Sequence, residues 1–208
     1  MIARPQTDID AEARANNDPV IRYVRLGFTM LLVPLSWHAF HSEYGWIPLL
    51  SDIDTAVHEF GHMLFMPFGI QFLGTTMVVL GGSLFQVVFP LIFTSYFALS
   101  RKHRDVHAAL LCLWWSSLNV LSVAIYCADA RAGQLMLLSG ETGEESGGEG
   151  HDWHMLLDHW GALKRDTAIA GTMRRIAVLV CVFSIIAGAV IAWKQAQLRA
   201  PAKNQRTI

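Results

Sequence analysis

Charge is scarce in this sequence. Only 16% of its 208 residues are Asp, Glu, Lys or Arg, and the formal net charge is −1. A chain so close to neutral exerts no bulk pull on a polyanion, so no nucleic-acid partner is expected. Cysteine is scarce as well. Cys112, Cys127 and Cys181 all lie in apolar runs without close-spaced pairing, which supports neither a disulfide framework nor a cysteine-built zinc site. The first twenty residues, "MIARPQTDIDAEARANNDPV", are polar and lack the pattern of a cleavable secretory signal, so they are expected to form a soluble arm. No internal repeat occurs, and the stretches between apolar runs are too short for a second folded domain.

Apolar residues, by contrast, are abundant. They make up 53% of the chain, and the mean hydropathy of +0.35 exceeds that of an average soluble domain. Crossing a bilayer takes about 20 apolar residues. Four runs meet that length: "YVRLGFTMLLVPLSWHAF" from Tyr23, "TTMVVLGGSLFQVVFPLIFTSYFAL", "HAALLCLWWSSLNVLSVAIYCADA" and "IAVLVCVFSIIAGAVIAW". A fifth, "IDTAVHEFGHMLFMPFGIQF", carries too many ionisable groups to face lipid. It is expected to be shielded by the other segments, or to enter without fully crossing. The expected fold is therefore all-α, a polytopic membrane helix bundle of four to five transmembrane segments with the metal-binding helix inside. The expected layout is a soluble arm over 1–20 and a membrane core over 21–130. A polar loop with an interfacial helix follows over 131–173, then a last transmembrane helix over 174–194 and a basic tail over 195–208. Basic residues of the arm, "RKHR" and the tail favour the cytoplasm, which suits four full crossings, whereas Lys164, Arg165, Arg174 and Arg175 pull the other way. The seven tryptophans suit interfacial belts.

Within the fifth run stands "HEFGH". Helical residues four apart share a face, so His58 and His62 can aim two imidazoles at one metal ion. Glu59 lies beside the ion without being placed as a ligand, where it can take a proton from water and pass it on. This is the arrangement of zinc hydrolases. Gly61 permits another backbone to pack closely. Ionisable groups in membrane segments are expensive and tend to be functional. A third ligand is needed, with a fourth position left for water. Asp129 at the end of "IYCADA" can reach back into the bundle, or can pair with Arg131. The other source is "GHDWH", with His151, Asp152 and His154. Asp129 is the expected choice, and His151 the alternative metal ligand.

These residues resemble the site-2-protease-like intramembrane zinc metalloproteases. The resemblance rests on "HEFGH" in a membrane segment, "GGS" at Gly81–Ser83, and "SLNVLSVAIYCADA", and it covers about residues 52 to 130. It implies Zn2+ held by His58, His62 and Asp129, with Glu59 as base. Asn119 is a candidate for oxyanion or substrate contact, or else for a helix-to-helix hydrogen bond. Gly81-Gly82 can make either a bend or a close helix crossing. The expected function is zinc-dependent hydrolysis of peptide bonds in a membrane-protein or peptide substrate. The expected setting is the lipid bilayer of a bacterial inner membrane. Two rival readings stand beside it. One is a membrane di-iron oxidase, suggested by the further pairs His38/His41, His103/His107 and His151/His154. The other is a non-catalytic metal-binding membrane protein.

Overall fold

A computed structural model describes residues 19–68, 74–100 and 102–197. The proposed N-terminal arm up to residue 18 and the tail from residue 198 lie outside the described residues. Among the described residues six α-helices follow one another: α1 Pro19–His41, α2 Leu50–Phe68, α3 Thr75–Leu99, α4 Val106–Ala128, α5 Asp152–His159 and α6 Asp166–Gln197, the last preceded by a 3₁₀ turn at Leu163–Arg165. Among the described residues there is no strand beyond one isolated bridge between Met136 and Thr142. The protein is an all-α polytopic helical bundle. Four stretches, Val20–His41, Thr75–Leu99, Val106–Ala128 and Leu163–Lys194, are long and apolar enough to cross a membrane.

Side-chain contacts fix the directions of the helices. Arg25 near the start of α1 pairs at 2.7 Å with Asp105, the N-cap of α4, and Trp114 donates to Ser36 Oγ at 2.8 Å. The helices α1 and α4 are therefore parallel. The Arg22 guanidinium lies over the Trp193 ring, and Arg174 donates to the Phe40 carbonyl, so α6 runs antiparallel to α1. Both ends of the described chain thus leave from one end of the bundle, and residues 129–162 close the other. Four helices of spanning length, alternating in direction, produce this arrangement.

The helix α2 is the exception. After α1 the chain turns back on itself. Gly45 at φ 63° packs against Ile125 and Leu121, and Ile47 is buried. Asp54 then accepts from Trp115 Nε1 at 2.8 Å, halfway along α4. From that depth α2 runs outward toward the 129–162 end, so it enters the bundle without traversing it. Its enclosure is one-sided. Ile53, Phe60, Met63 and Leu64 stay exposed on its outer face, which suits a lipid contact, whereas its inner face lies on α3. That crossing is close because Gly61 meets Gly81 and Gly82, and a Cβ on Gly61 would come within 2.9 Å of Gly82 Cα. The two glycines of α3 thus serve a close crossing, and α3 continues unbroken through them.

The last helix begins at Asp166, several residues before the expected start. Asp166 is buried there and paired at 2.7 Å with Arg131. The short helix α5 sits on the bundle end. Trp153, Leu156 and Leu157 are all buried, and Trp153 packs with Val123, Cys127 and Ala170. Trp114 is buried as well, so these two tryptophans belong to the packing and not to a belt. The glycine-rich stretch before α5 is a series of hydrogen-bonded turns in which Glu144 N donates to the Gly133 carbonyl and Gly148 N to that of Gly143.

Candidate metal centre

On the inner face of α2, His58 and His62 stand one turn apart with ring centroids separated by 4.8 Å. Both aim Nε2 at one oxygen. His58 Nε2 is 2.9 Å and His62 Nε2 is 3.2 Å from Asp152 Oδ2. Asp152 is the first residue of α5, and two bonds hold it in place. Its backbone N–H donates to the Tyr126 hydroxyl at 3.1 Å, and the next residue, Trp153, donates from Nε1 to Ser83 Oγ at 3.1 Å.

The opposite edges of the two rings are also engaged. His62 Nδ1 lies 2.9 Å from the Val78 carbonyl, and His58 Nδ1 lies 3.0 Å from Gln86 Oε1. An oxygen of this kind only accepts, so Nδ1 carries the proton in each neutral ring and Nε2 presents a lone pair. Two lone pairs would then face a carboxylate oxygen, so either a proton shared with Asp152 or a metal ion lies among these atoms. A tetrahedral zinc sphere with bonds of about 2.0–2.1 Å places neighbouring ligand atoms roughly 3.3 Å apart. The two histidine–aspartate separations are close to that edge. The donor set therefore fits a metal ion, and among the described residues this is the group of three that could hold one.

Gly82 shapes the same space. A Cβ built on it would stand 2.6 Å from His58 Nε2 and 2.6 Å from His62 Cε1. Only a residue without a side chain lets α3 pass this close to both rings. Glu59 is exposed beside them. It lines a cavity of ≈ 960 Å³ together with His58, His62, Asp152, Tyr126 and the Leu135–Leu138 stretch.

The expected third ligands lie elsewhere. Asp129 accepts from Gln134 N at 2.9 Å and Leu135 N at 3.0 Å, and faces His151 Nε2 at 3.3 Å. It therefore anchors the turn after α4 and does not meet the histidine pair. Arg131 does not pair with it, since its partner is Asp166. His151 is fully buried and uses both ring nitrogens. Nδ1 accepts from His154 N at 3.2 Å as the cap of α5, and Nε2 faces Asp129. Burial pushes its pKa down against the pull of Asp129, which suits a neutral ring. Asn119 is likewise fully buried and bonded to Gln86, away from the cavity lining.

No family model matches the chain, and neither does any curated protein or solved structure.

The other histidine pairs do not assemble a second centre among the described residues. His38 and His41 bond the carbonyls of Trp46 and Trp37, and His107 bonds Thr29 at the far end of the bundle. His154 donates to the Ala130 carbonyl at 2.7 Å. Asp152 was present in the "GHDWH" stretch that drew attention to His151. Its position directly after the capping histidine, in the first turn of a helix, was the available signal. Gln86 and Tyr126 carried no signal of their own in the sequence.

Proposed function

We propose that this protein is a membrane-embedded zinc hydrolase that cleaves peptide bonds of membrane-protein or peptide substrates, in the manner of site-2-protease-like enzymes, in a bacterial inner membrane. The observation that carries the reading is the meeting of His58, His62 and Asp152 at one point, with Glu59 beside it in a cavity. Zinc bound there supplies Lewis acidity, which acidifies water and polarises a carbonyl. His58, His62 and Asp152 would hold it and leave a position open.

The remaining steps belong to the protein's own side chains. Glu59 is free at the cavity wall to take a proton from the attacking water and return it to the leaving amine. The Tyr126 hydroxyl accepts from the Asp152 amide, so its own proton points away from that bond and is available to an oxyanion. Asn119 has no such freedom. The cavity has room for many waters, each needing about 30 Å³. A substrate helix must unwind before its carbonyl can be attacked, because that carbonyl is already hydrogen-bonded.

The test is Glu59→Gln in the full chain, reconstituted in vesicles with a panel of single-span membrane peptides. One zinc per chain is expected in both proteins, with cleavage lowered about 10²–10⁴-fold in the variant. Equal cleavage by the two would refute the role of Glu59, and two irons per chain would favour the oxidase.

A further inference from the structure

Resting on that reading, we propose that Gln86 is a positioning residue for the metal centre, and that Pro90 and Asn119 orient its amide so that His58 can only present Nε2 inward. The argument starts from a missing donor. Pro90 lies within α3 and has no N–H, so the carbonyl of Gln86, four residues earlier, loses its helical partner. A buried carbonyl seeks a replacement. Asn119 Nδ2 provides it from α4 at 3.0 Å.

That bond fixes everything downstream. A backbone carbonyl only accepts, so the NH₂ end of Asn119 must face it, and the same end serves the Asp54 carboxyl, which also takes a bond from Trp115. Asn119 Oδ1 is thereby turned toward Gln86 and accepts from Gln86 Nε2 at 3.2 Å. With its NH₂ end spent, Gln86 offers Oε1 to His58 Nδ1 at 3.0 Å. The ring must donate there, so the proton resides on Nδ1 and the Nε2 lone pair points at the metal position. None of these groups can be exchanged with solvent, since Asn119 and Pro90 are fully buried and Gln86 is 5% exposed. The orientation of both amides follows from one helix-breaking residue 32 positions away from the histidine it serves. A ligand ring held by such an outer partner binds metal about 10–100-fold better than one that is free to turn.

The experiment uses the full chain in detergent with zinc as the probe and two readouts. Competition with a chelating dye gives zinc affinity, and nitrogen-15 NMR of the imidazoles in zinc-free protein reports which nitrogen of His58 carries hydrogen. Wild type is expected to show hydrogen on Nδ1. Gln86→Leu and Asn119→Leu are each expected to weaken zinc by about 10–100-fold and to mix the tautomers of His58. The double variant should be no weaker than Gln86→Leu alone, because both act through one chain of bonds. Ser116→Ala removes the neighbouring bond to the Val87 carbonyl (3.0 Å) without touching the amides, and should change neither readout. An Nδ1 without hydrogen in wild type would overturn the proposal. So would zinc binding by Gln86→Leu within twofold of wild type, multiplicative losses in the double variant, or an equal loss in Ser116→Ala. A wild type that binds no zinc defeats the metal reading, while the tautomer measurement still decides the role of Gln86.

Discussion

Replacing Gly82 by alanine puts a single methyl group where the two imidazoles converge. An added Cβ stands 2.6 Å from His58 Nε2, whereas ordinary contact begins at 3.4 Å, so that ring has to retreat by about 0.8 Å. The His62 ring meets the same atom at Cε1 and must move as well. Shifting the whole of α2 outward instead would open its close crossing at Gly61 with Gly81 and Gly82. The rings therefore tilt away from Asp152 and lose the 2.9 and 3.2 Å separations that suit a tetrahedral ion. Disturbing the support of ligand rings costs about 10–100-fold in metal affinity, which is up to about 2.7 kcal/mol. Fold stability changes less. Overpacking costs about 1–3 kcal/mol, and alanine returns about 1 kcal/mol of helix propensity. Dye competition for zinc, read beside the melting temperature, separates the two effects. Gly171→Ala is the control, since nothing lies within 4 Å of the added methyl; it should leave zinc affinity untouched. A Gly82→Ala protein that binds zinc within threefold of wild type would refute the idea that this glycine makes room for the ligands.

Two further outcomes follow from the same geometry. Asp152→Asn is isosteric but uncharged and should lose zinc by at least about 10²-fold, whereas Asp129→Asn should retain zinc and lower the melting temperature through the 134–135 turn; metal analysis of both proteins after dialysis checks this, and the reverse order would return Asp129 to the ligand set. Tyr126→Phe keeps the stacking on His151 (centroids 4.3 Å apart) but removes the hydroxyl, so kcat of the zinc-saturated protein should fall by about 10²–10³-fold, and an unaltered kcat would exclude the hydroxyl from catalysis.

The parts of this protein that sequence reasoning could reach are those encoded locally. Run length sets the four spans, and the i, i+4 spacing of His58 and His62 sets a shared face, because both depend only on helix geometry. For α2 the sequence left two options, shielding by the other segments or entry without a full crossing, because Asp52, Asp54 and Glu59 are too costly to expose to lipid along a full crossing. Asp152 was harder to find. It lies 94 residues beyond His58, across a loop whose length and glycine content say nothing about where its far end lands. Asp129 sat at a helix end where a ligand could have been, but the free amides of the turn after α4 took both of its oxygens. Asn119 is polar in an apolar helix, which marks it as special without revealing whether it serves substrate or another helix. Only the contact with the Gln86 carbonyl decides that. The outer face of α2, with Phe60 and Met63 turned away from the bundle, could not be read from hydropathy, because packing partners determine which side is covered.

The 94-position separation of His58 and Asp152 also orders events in time. At a synthesis rate of roughly 5–20 residues per second, the histidines leave the ribosome about 5–20 s before the aspartate that completes their centre. During that interval α3 and α4 can insert while only two of the three donors exist. Under the proposed reading, the newborn chain therefore places most of its spanning helices before its ion site is complete, and hydrolysis is withheld until the body that must contain it has been built.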